Sequence, residues 1–276
     1  MDTFTIGTDM TVNRLGFGAM RITGPGIWGD PPDRGVAIAV LRRAIELGVN
    51  LIDTADAYGP FTSEDLIAEA LHPYPDDLVI ATKGGLTRTG PGQWFAVGRA
   101  DYLKQCVEMS LRRLKLERID LYQFHRPDPR TPLEESIGAL VDMQREGKIR
   151  HIGVSNFSVE QLATARAIAD VVTVQNRYNV GERSSEAVLE ACERDGLGFL
   201  PWAPVGSGQL AQPGGKLDEI AERHGVSVAE LILAWLLHRS PVMLPIPGTG
   251  QIAHLEENMA ATSLTLSAEE WAEIEA

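Results

Sequence analysis

Short runs of apolar residues alternate along the chain with longer segments in which apolar residues recur every three to four positions. The short runs are rich in β-branched residues, and several are apolar throughout, as is typical of parallel strands covered on both faces. The longer segments have the period of amphipathic helices. The pattern predicts eight strands, at Leu15–Met20, Val49–Ala55, Leu78–Lys83, Ile119–His125, Ile149–Asn156, Val171–Asn176, Leu197–Trp202 and Val242–Gly248.

Residues that cap helices lie between these strands. Asp33 is a predicted N-cap, and Gly48 a predicted end, of the helix between the first two strands. Thr131, Pro132 and Glu134 predict a capping box with proline at the first helical position. Three similar pairs predict further helix starts, namely Ser158 with Gln161, Ser227 with Glu230 and Ser267 with Glu270.

Repeated strand–helix units predict the architecture. Right-handed crossovers between eight such units lead to an α/β fold, a closed (β/α)8 TIM barrel. Before the first unit, apolar residues flank Gly7-Thr8-Asp9, which predicts a β-hairpin capping the floor of the barrel. No linker divides the chain, so residues 1–276 are predicted to form one domain. A doubly wound open sheet is the rival, but no G-x-G-x-x-G follows a strand. The glycine- and proline-rich segments Gly24–Pro32 and Gly84–Gly98 are expected to be loops on the active face.

Composition narrows the class of protein. The net charge of −13 argues against a nucleic-acid partner, because phosphate binding favours a basic surface. Cys106 and Cys192 match no metal-ligand spacing, so neither a metal site nor a disulfide framework is expected. No basic, apolar leader and no run of about 20 apolar residues is present. We therefore expect a cytoplasmic protein with no membrane partner, a monomer or a weak homo-oligomer.

Ionisable residues occur at or just after the ends of three consecutive predicted strands. They are Asp53, Tyr58 (five residues further on), Lys83 and His125. A barrel brings strand ends together around one mouth, and a buried lysine there needs a carboxylate partner such as Asp53. The ammonium is expected to lower the pKa of the Tyr58 phenol, making it a general acid. A neutral His125 can orient a carbonyl oxygen or pass the proton.

The sequence also resembles the aldo-keto reductase family, along nearly its whole length and in order. The segments that carry the resemblance are LGFGAMR (Leu15–Arg21), LIDTADAYG (Leu51–Gly59), IATKGG (Ile80–Gly85), IDLYQFHRPDP (Ile119–Pro129), IRHIGVSNFS (Ile149–Ser158), VQNRYN (Val174–Asn179), PWAPVGSG (Pro201–Gly208) and PIPGTGQIAHLEENMAA (Pro245–Ala261). The resemblance implies a catalytic tetrad of Asp53, Tyr58, Lys83 and His125. It further implies hydride transfer between a nicotinamide cofactor and a small carbonyl substrate, with Tyr58 protonating the oxygen.

The resemblance also assigns cofactor-binding positions. Ser155, Asn156 and Gln175 match residues that hold the nicotinamide carboxamide, and Trp202 matches the aromatic residue that stacks on the ring. The remaining positions match the pyrophosphate and adenosine ends: Pro204, Gly206, Ser207, Gly208, Gly248, Thr249, Gln251, His254, Glu257 and Asn258. Between Pro245 and Asn258 there is no lysine or arginine to hold a 2′-phosphate. The expected cofactor is NADPH/NADP+, with weakened discrimination against NADH.

The loops predicted to overhang the mouth carry candidate substrate-binding residues. Trp28, Trp94 and Phe95 would suit a flat aromatic or apolar aldehyde, and GPGIWGDPPDR (Gly24–Arg34) resembles the bacterial pyridoxal reductase (pyridoxine 4-dehydrogenase) subgroup. The alternative is a non-catalytic, cofactor-sensing regulatory subunit of the same fold. A metal-dependent hydrolase is disfavoured because the six histidines show no ligand spacing, and an isomerase because no glutamate base follows a late strand.

Overall fold

The computed structural model describes residues 2–206 and 215–275, in which eleven strands and ten α-helices are found. The strands are β1 (Thr3–Ile6), β2 (Met10–Asn13), β3 (Phe17–Gly18), β4 (Leu51–Asp53), β5 (Val79–Gly84), β6 (Leu86–Gly90), β7 (Gln93–Ala96), β8 (Ile119–Phe124), β9 (Ile149–Ser155), β10 (Val171–Arg177) and β11 (Gly198–Trp202). The helices are α1 (Arg34–Glu46), α2 (Thr62–Leu71), α3 (Ala100–Leu114), α4 (Leu133–Arg145), α5 (Val159–Arg166), α6 (Glu186–Asp195), α7 (Lys216–His224), α8 (Val228–Arg239), α9 (Ile252–Ala260) and α10 (Ala268–Glu275).

The central sheet is parallel and follows chain order, β3-β4-β5-β8-β9-β10-β11. This order confirms the TIM-barrel prediction, because each strand pairs with the strand of the next strand–helix unit. The helices cover the outside of the sheet through one large apolar cluster that includes Val40, Leu140 and Leu233. The C-termini of the seven strands of this sheet therefore meet at one end of the barrel.

The segment predicted as an eighth strand, residues 242–248, closes the barrel without being a regular strand in the described residues. Pro245 and Pro247 have no N–H to donate, so on the side of the first strand these two residues only accept hydrogen bonds. Four backbone bonds form this seam: Phe199 N–H to Val242 O at 2.9 Å, Leu244 N–H to Phe199 O at 2.8 Å, Gly16 N–H to Pro245 O at 2.9 Å and Gly18 N–H to Pro247 O at 3.1 Å.

Glycine is required at the seam. A Cβ on Gly18 would lie 2.5 Å from the carbonyl oxygen of Ile246, and one on Gly248 would lie 2.5 Å from the carbonyl oxygen of Gly18. Real Cβ atoms do not approach carbonyl oxygens so closely. The first strand and the closing segment can pack together only because both positions lack a side chain.

The N-terminal hairpin, β1–β2, covers the floor of the barrel as predicted. Its buried side chains Ile6, Met10 and Val12 pack on the interior residues near the strand starts, such as Leu51 and Leu121. In the turn, the Asp9 carboxylate contacts Arg150 at 2.8 Å and His151 at 2.7 Å, both in β9. Apolar contacts therefore seal the floor, and an ion pair from Asp9 to Arg150 and a hydrogen bond between Asp9 and His151 hold the turn against β9.

Most predicted helix starts are confirmed. Asp33 accepts a hydrogen bond from the Val36 N–H, Ser158 and Gln161 form a capping box, and the Ser227 and Ser267 hydroxyls accept from residues 230 and 270. The capping box at Thr131 is wrong. Pro132 is the N-cap of α4, and the Thr131 hydroxyl donates to the Asp128 carboxylate instead, because Asp128 competes for it.

One predicted loop is an antiparallel hairpin. Within Gly84–Gly98, β6 pairs with β7 in a register that matches Leu86 with Ala96 and Thr87 with Phe95. The glycines and proline at 90–92 form its turn, and sequence analysis mistook them for the marks of a longer loop. Among the described residues, no helix is both long enough and apolar enough to span a membrane.

Candidate active site

A cleft of about 400 Å³ opens at the C-terminal ends of the strands. It extends from the first strand to the closing segment across the mouth of the barrel. Its walls carry three of the four residues predicted as a tetrad, all except Lys83, which lies beneath. The lining residues are Gly18, Met20, Arg21, Ile27, Asp53, Tyr58, Leu86, Trp94, His125, Arg126, Ser155, Asn156, Gln175, Trp202, Ala203, Pro204, Val205, Ile246 and Gly248.

A buried ion pair forms the base of the cleft. Lys83 is fully buried, and its Nζ lies 2.6 Å from Asp53 Oδ2 and 2.9 Å from the carbonyl oxygen of Thr54. Burial by itself would lower the pKa of Lys83, but the Asp53 carboxylate and the Tyr58 oxygen together outweigh it and raise this pKa above 10.5. Lys83 is therefore a permanent cation beneath the cleft.

The third N–H of the Lys83 ammonium donates a hydrogen bond to Tyr58. Nζ donates to the phenol oxygen at 3.3 Å, so the phenol's own hydrogen is left to point into the cleft. Burial raises the pKa of Tyr58 above 10.0, and Lys83 offsets only part of that rise. The predicted lowering of this pKa is therefore wrong, because Asp53 already neutralises Lys83 and burial disfavours the phenolate.

His125 lies against Tyr58 edge to face, with ring centroids 5.9 Å apart. Burial holds the pKa of His125 well below 6.5, and the positive charges of Lys83, Arg126 and Arg88 lower it further. The imidazole is therefore neutral, as predicted. Its Nδ1 is buried and forms no hydrogen bond with the described residues.

Two glutamine side chains hold Asp53 from the side opposite Lys83. Gln123 Nε2 donates to Asp53 Oδ1 at 3.0 Å, and Gln175 Nε2 donates to the same oxygen at 2.7 Å. Gln123 is not among the residues predicted from the sequence, and Gln175 is predicted there only as a cofactor-binding residue. The signal for Gln123 was its place two residues before His125, which puts both side chains on one face of a strand. Gly153 leaves the space, since a Cβ there would lie 2.9 Å from Gln123 Cγ.

The residues predicted to surround a nicotinamide lie together on the far wall. Asn156, at a φ of 61°, donates to the carbonyl oxygen of His125 at 3.0 Å and to the Ser155 hydroxyl at 3.0 Å. Its amide oxygen accepts from Trp202 Nε1 at 3.1 Å. The indole is thereby fixed at the end of β11, half-buried and facing the cleft.

The predicted pyrophosphate loop is described only in part. Pro204 and Val205 line the cleft, and the N–H of Gly206 donates to the carbonyl oxygen of Ala203 at 3.0 Å in a tight turn. The predictions at Ser207 and Gly208 lie outside the described residues.

The residues predicted at the adenosine end follow the closing segment. Gly248 lines the cleft, and the buried Thr249 hydroxyl accepts from the N–H of Gln251, the N-cap of α9, at 3.0 Å. His254 and Glu257 are exposed on α9, whereas Asn258 is buried. These side chains continue outward from the cleft but are not part of its lining.

Only one of the three predicted substrate residues lines the cleft. Trp94 does, edge to face with Tyr58 at a centroid distance of 6.3 Å. Phe95 is 50% exposed on the opposite face of β7, because successive strand residues alternate sides. Trp28 lies outside the lining, paired with Gly59, and its neighbour Ile27 borders the cleft instead.

A second buried carboxyl lies three residues after Asp53. Asp56 is 3% exposed, and one of its oxygens, Oδ1, has no hydrogen-bond partner in the described residues. Burial, with the nearby Glu64, raises the pKa of Asp56 to about 7. The described residues contain no group of three or more histidine, cysteine, aspartate or glutamate side chains arranged to hold a metal ion.

Comparison with known proteins adds a family and relatives. The aldo/keto reductase family model matches residues 14–276. The chain is 50% identical over 267 residues to uncharacterized oxidoreductase C215.11c of Schizosaccharomyces pombe. The aligned region covers 97% of this chain and 87% of that protein. It is 45% identical over 274 residues to pyridoxine 4-dehydrogenase of Escherichia coli, covering 97% and 95%. A Klebsiella pneumoniae aldo/keto reductase, crystallised with NADP and acetate, superposes with a TM-score of 0.83 at 29% identity, covering 99% and 93%.

Proposed function

The chain belongs to the aldo/keto reductase family and is an oxidoreductase, and from this premise we propose that it reduces an aldehyde or ketone to an alcohol with NADPH, using Tyr58 as the general acid. One observation carries the proposal. Lys83 Nζ lies between Asp53 Oδ2 and the Tyr58 oxygen, at 2.6 Å and 3.3 Å, beneath an apolar-walled cleft.

The geometry assigns each side chain a role in moving one proton. Tyr58 gives its proton to the oxygen of the substrate, and the phenolate left behind is stabilised by Lys83. Asp53 keeps Lys83 charged, and Gln123 and Gln175 keep Asp53 in place. The neutral His125 orients the carbonyl oxygen toward the phenol.

The cleft residues fit a nicotinamide cofactor, which supplies the hydride when bound. Trp202 offers a flat face at the far wall, and the Ser155 hydroxyl and the Asn156 amide oxygen lie beside it. Gly248 and the first turn of α9 suit the phosphate groups, because a helix N-terminus attracts anions. The donor set therefore agrees with the NADP that the Klebsiella relative holds.

The 2′-phosphate end supports weak discrimination between NADPH and NADH. Residues 245–258 contain no lysine or arginine, and Gln251 and His254 are the exposed polar groups nearest the start of α9. We expect His254→Ala to weaken NADPH binding several-fold and to leave NADH binding unchanged, measured by fluorescence titration. Equal NADPH affinity in the variant and the parent would remove His254 from the proposal.

The substrate proposed is a flat aromatic aldehyde such as pyridoxal. Trp94, Ile27 and Met20 give the cleft an apolar side next to Tyr58, and the E. coli relative is a pyridoxine 4-dehydrogenase. The test follows loss of NADPH absorbance with a panel of aromatic and aliphatic aldehydes. Turnover with none of them, despite NADPH binding, would contradict the proposal and favour a cofactor-sensing role.

A further inference from the structure

Arg88, on β6, joins three separate loops at the mouth of the barrel. A guanidinium has five N–H donors, and here each has a backbone carbonyl to donate to. Nε donates to Gln93, in the same hairpin. The other four bonds are Nη1 to Ile27 at 2.9 Å, Nη1 to Ala57 at 2.7 Å, Nη2 to Gly26 at 3.0 Å and Nη2 to Gly90 at 3.4 Å.

The flat face of the same guanidinium lies on Trp94. Its Cζ is 3.5 Å from one ring centroid of Trp94 and 5.6 Å from that of Trp28. Trp94 in turn contacts Tyr58 edge to face at 6.3 Å. Arg88 therefore contacts the proposed proton donor Tyr58 indirectly, through the indole of Trp94. It also donates to the carbonyl oxygen of Ala57, the residue that precedes Tyr58.

No acidic side chain forms an ion pair with Arg88 within residues 2–206 and 215–275, although the chain carries 38 acidic residues. An arginine used for charge pairing would have such a partner. Here the planar shape and the number of donors are what the site uses, and a lysine cannot reproduce either.

The cleft surface beside this arrangement is apolar and consists of Trp94, Leu86 and Ile27. Ile27 has a positive φ of 56°, and its carbonyl oxygen accepts from Arg88, so Arg88 also holds the backbone that presents this side chain. A rigid indole next to Tyr58 favours a planar carbonyl compound that can stack on it or meet its edge.

We propose that Arg88 is a specificity-determining residue, which holds Trp94 and Ile27 in place so that the enzyme prefers aromatic over aliphatic carbonyl compounds. This inference rests on the proposed function for its substrate but not for its geometry. Arg88 is a positioning residue, because it does not line the cleft and acts through Trp94.

The test compares Arg88→Lys with the parent on pyridoxal and on propanal, with saturating NADPH. We expect kcat/KM for pyridoxal to fall about 10- to 100-fold, mainly through KM, and that for propanal to fall less than about threefold. Arg99→Lys is the matched control, because Arg99 pairs with Asp101 on the exposed rim and is expected to behave as the parent.

A double-mutant cycle separates positioning from general damage. If Arg88 acts through Trp94, Arg88→Lys has little further effect on pyridoxal turnover in a Trp94→Leu background. Equal losses on both aldehydes, additive losses in the cycle, or no loss in Arg88→Lys would each overturn the inference.

A second measurement does not depend on turnover. The contribution of Trp94 to acrylamide quenching, taken as the difference from Trp94→Phe, is expected to rise in Arg88→Lys as the indole loosens. If the parent reduces no carbonyl compound, the proposed function fails, and unchanged quenching would independently show that Arg88 does not hold Trp94.

Discussion

Tyr58 combines two features that oppose one another at the scale of a single residue. Burial favours the neutral phenol, and the neighbouring Lys83 favours the phenolate. Because burial is the larger influence, the pKa lies above 10.0 and the proton stays on the phenol at neutral pH. The proposed role as general acid requires this protonated state, and Lys83 would stabilise the phenolate once the proton has left.

This order of effects predicts a pH profile. We expect kcat/KM for carbonyl reduction to be level from about pH 7 to 9 and to fall only above about 10, where the phenol begins to lose its proton. Alcohol oxidation needs the phenolate, so its kcat/KM should rise above about pH 10, where the phenol begins to lose its proton. A reduction rate that falls with a midpoint near pH 7 would contradict the raised pKa.

Replacing the phenol tests the acid directly. Tyr58→Phe keeps the ring and its contacts with Trp94 and His125, so the fold and NADPH binding should persist, while reduction falls by about 10²- to 10⁴-fold. Tyr74→Phe is a matched control, since that hydroxyl only donates to the carbonyl oxygen of Leu114, away from the cleft. Similar losses in both variants would point to a structural effect.

Residue identity alone was enough to predict which polar groups form the site. It was not enough to predict whether burial or the charge of Lys83 has the larger influence on the pKa of Tyr58. Asp53, Lys83 and His125 could be predicted because an ionisable side chain at a buried strand end is costly unless it has a partner. The direction of the Tyr58 pKa depends on how deeply the ring is buried, which no local pattern reports. Gln123 was not predicted because a single neutral amide in an apolar strand can also be an ordinary hydrogen-bonded polar residue of the core.

At the scale of the element, the turn between β4 and α2 carries Asp56 between two helices. Its carboxyl group faces Glu64 on α2, and Cys106 and Arg113 on α3, while its N–H donates to the carbonyl oxygen of Lys83 at 3.1 Å. Burial raises the pKa of Asp56 from 3.8 to about 7. The folded protein therefore accommodates the neutral acid better than the carboxylate.

This raised pKa makes stability depend on pH. The contribution of the neutral acid is fully present below the unfolded-state value of 3.8 and is lost as pH rises through about 7. Asp56→Asn mimics the neutral acid, so we expect it to melt higher than the parent at pH 8, on the order of 5 °C, and by less at pH 5. A gap that stays constant or widens toward pH 5 would contradict this assignment.

Elements whose structure follows from residues within one turn were predicted correctly. Elements whose structure depends on a contact with a residue outside the motif were not. The Ser158 capping box follows from two residues of one turn. The Thr131 box failed because Asp128, outside the motif, takes the hydroxyl. The β6–β7 hairpin escaped detection because its strands hold only five and four residues, and Arg88 is what fixes them against the loops.

At the scale of the whole molecule, the barrel depends on the seam between Gly18 and residues 246–248. We expect Gly18→Ala to lower the free energy of unfolding by about 1–3 kcal/mol, because its Cβ would meet the Ile246 carbonyl oxygen at 2.5 Å. Thermal unfolding measures the loss. Gly138→Ala on α4 is the control, since nothing lies within 4 Å of its Cβ and alanine favours helix. Equal melting of the two variants would show that the seam tolerates a methyl group.

Counting strand–helix units predicted closure but not its form. The segment at 242–248 reads as a strand because it is apolar and short, whereas Pro245 and Pro247 remove the donors that a regular ladder uses. Closure is visible only when the hydrogen bonds of Phe199 on one side and of Gly16 and Gly18 on the other are seen together.

The position of the seam has a consequence for the life of the protein in a cell. Gly18 and Gly248 lie on opposite sides of the seam, and both border the cleft. A molecule bound there contacts the beginning and the end of the barrel at once, so opening the seam requires its release. We expect NADPH to slow proteolysis and amide exchange at residues 242–248. The supply of reduced cofactor would then govern how long each copy survives as well as how fast it works.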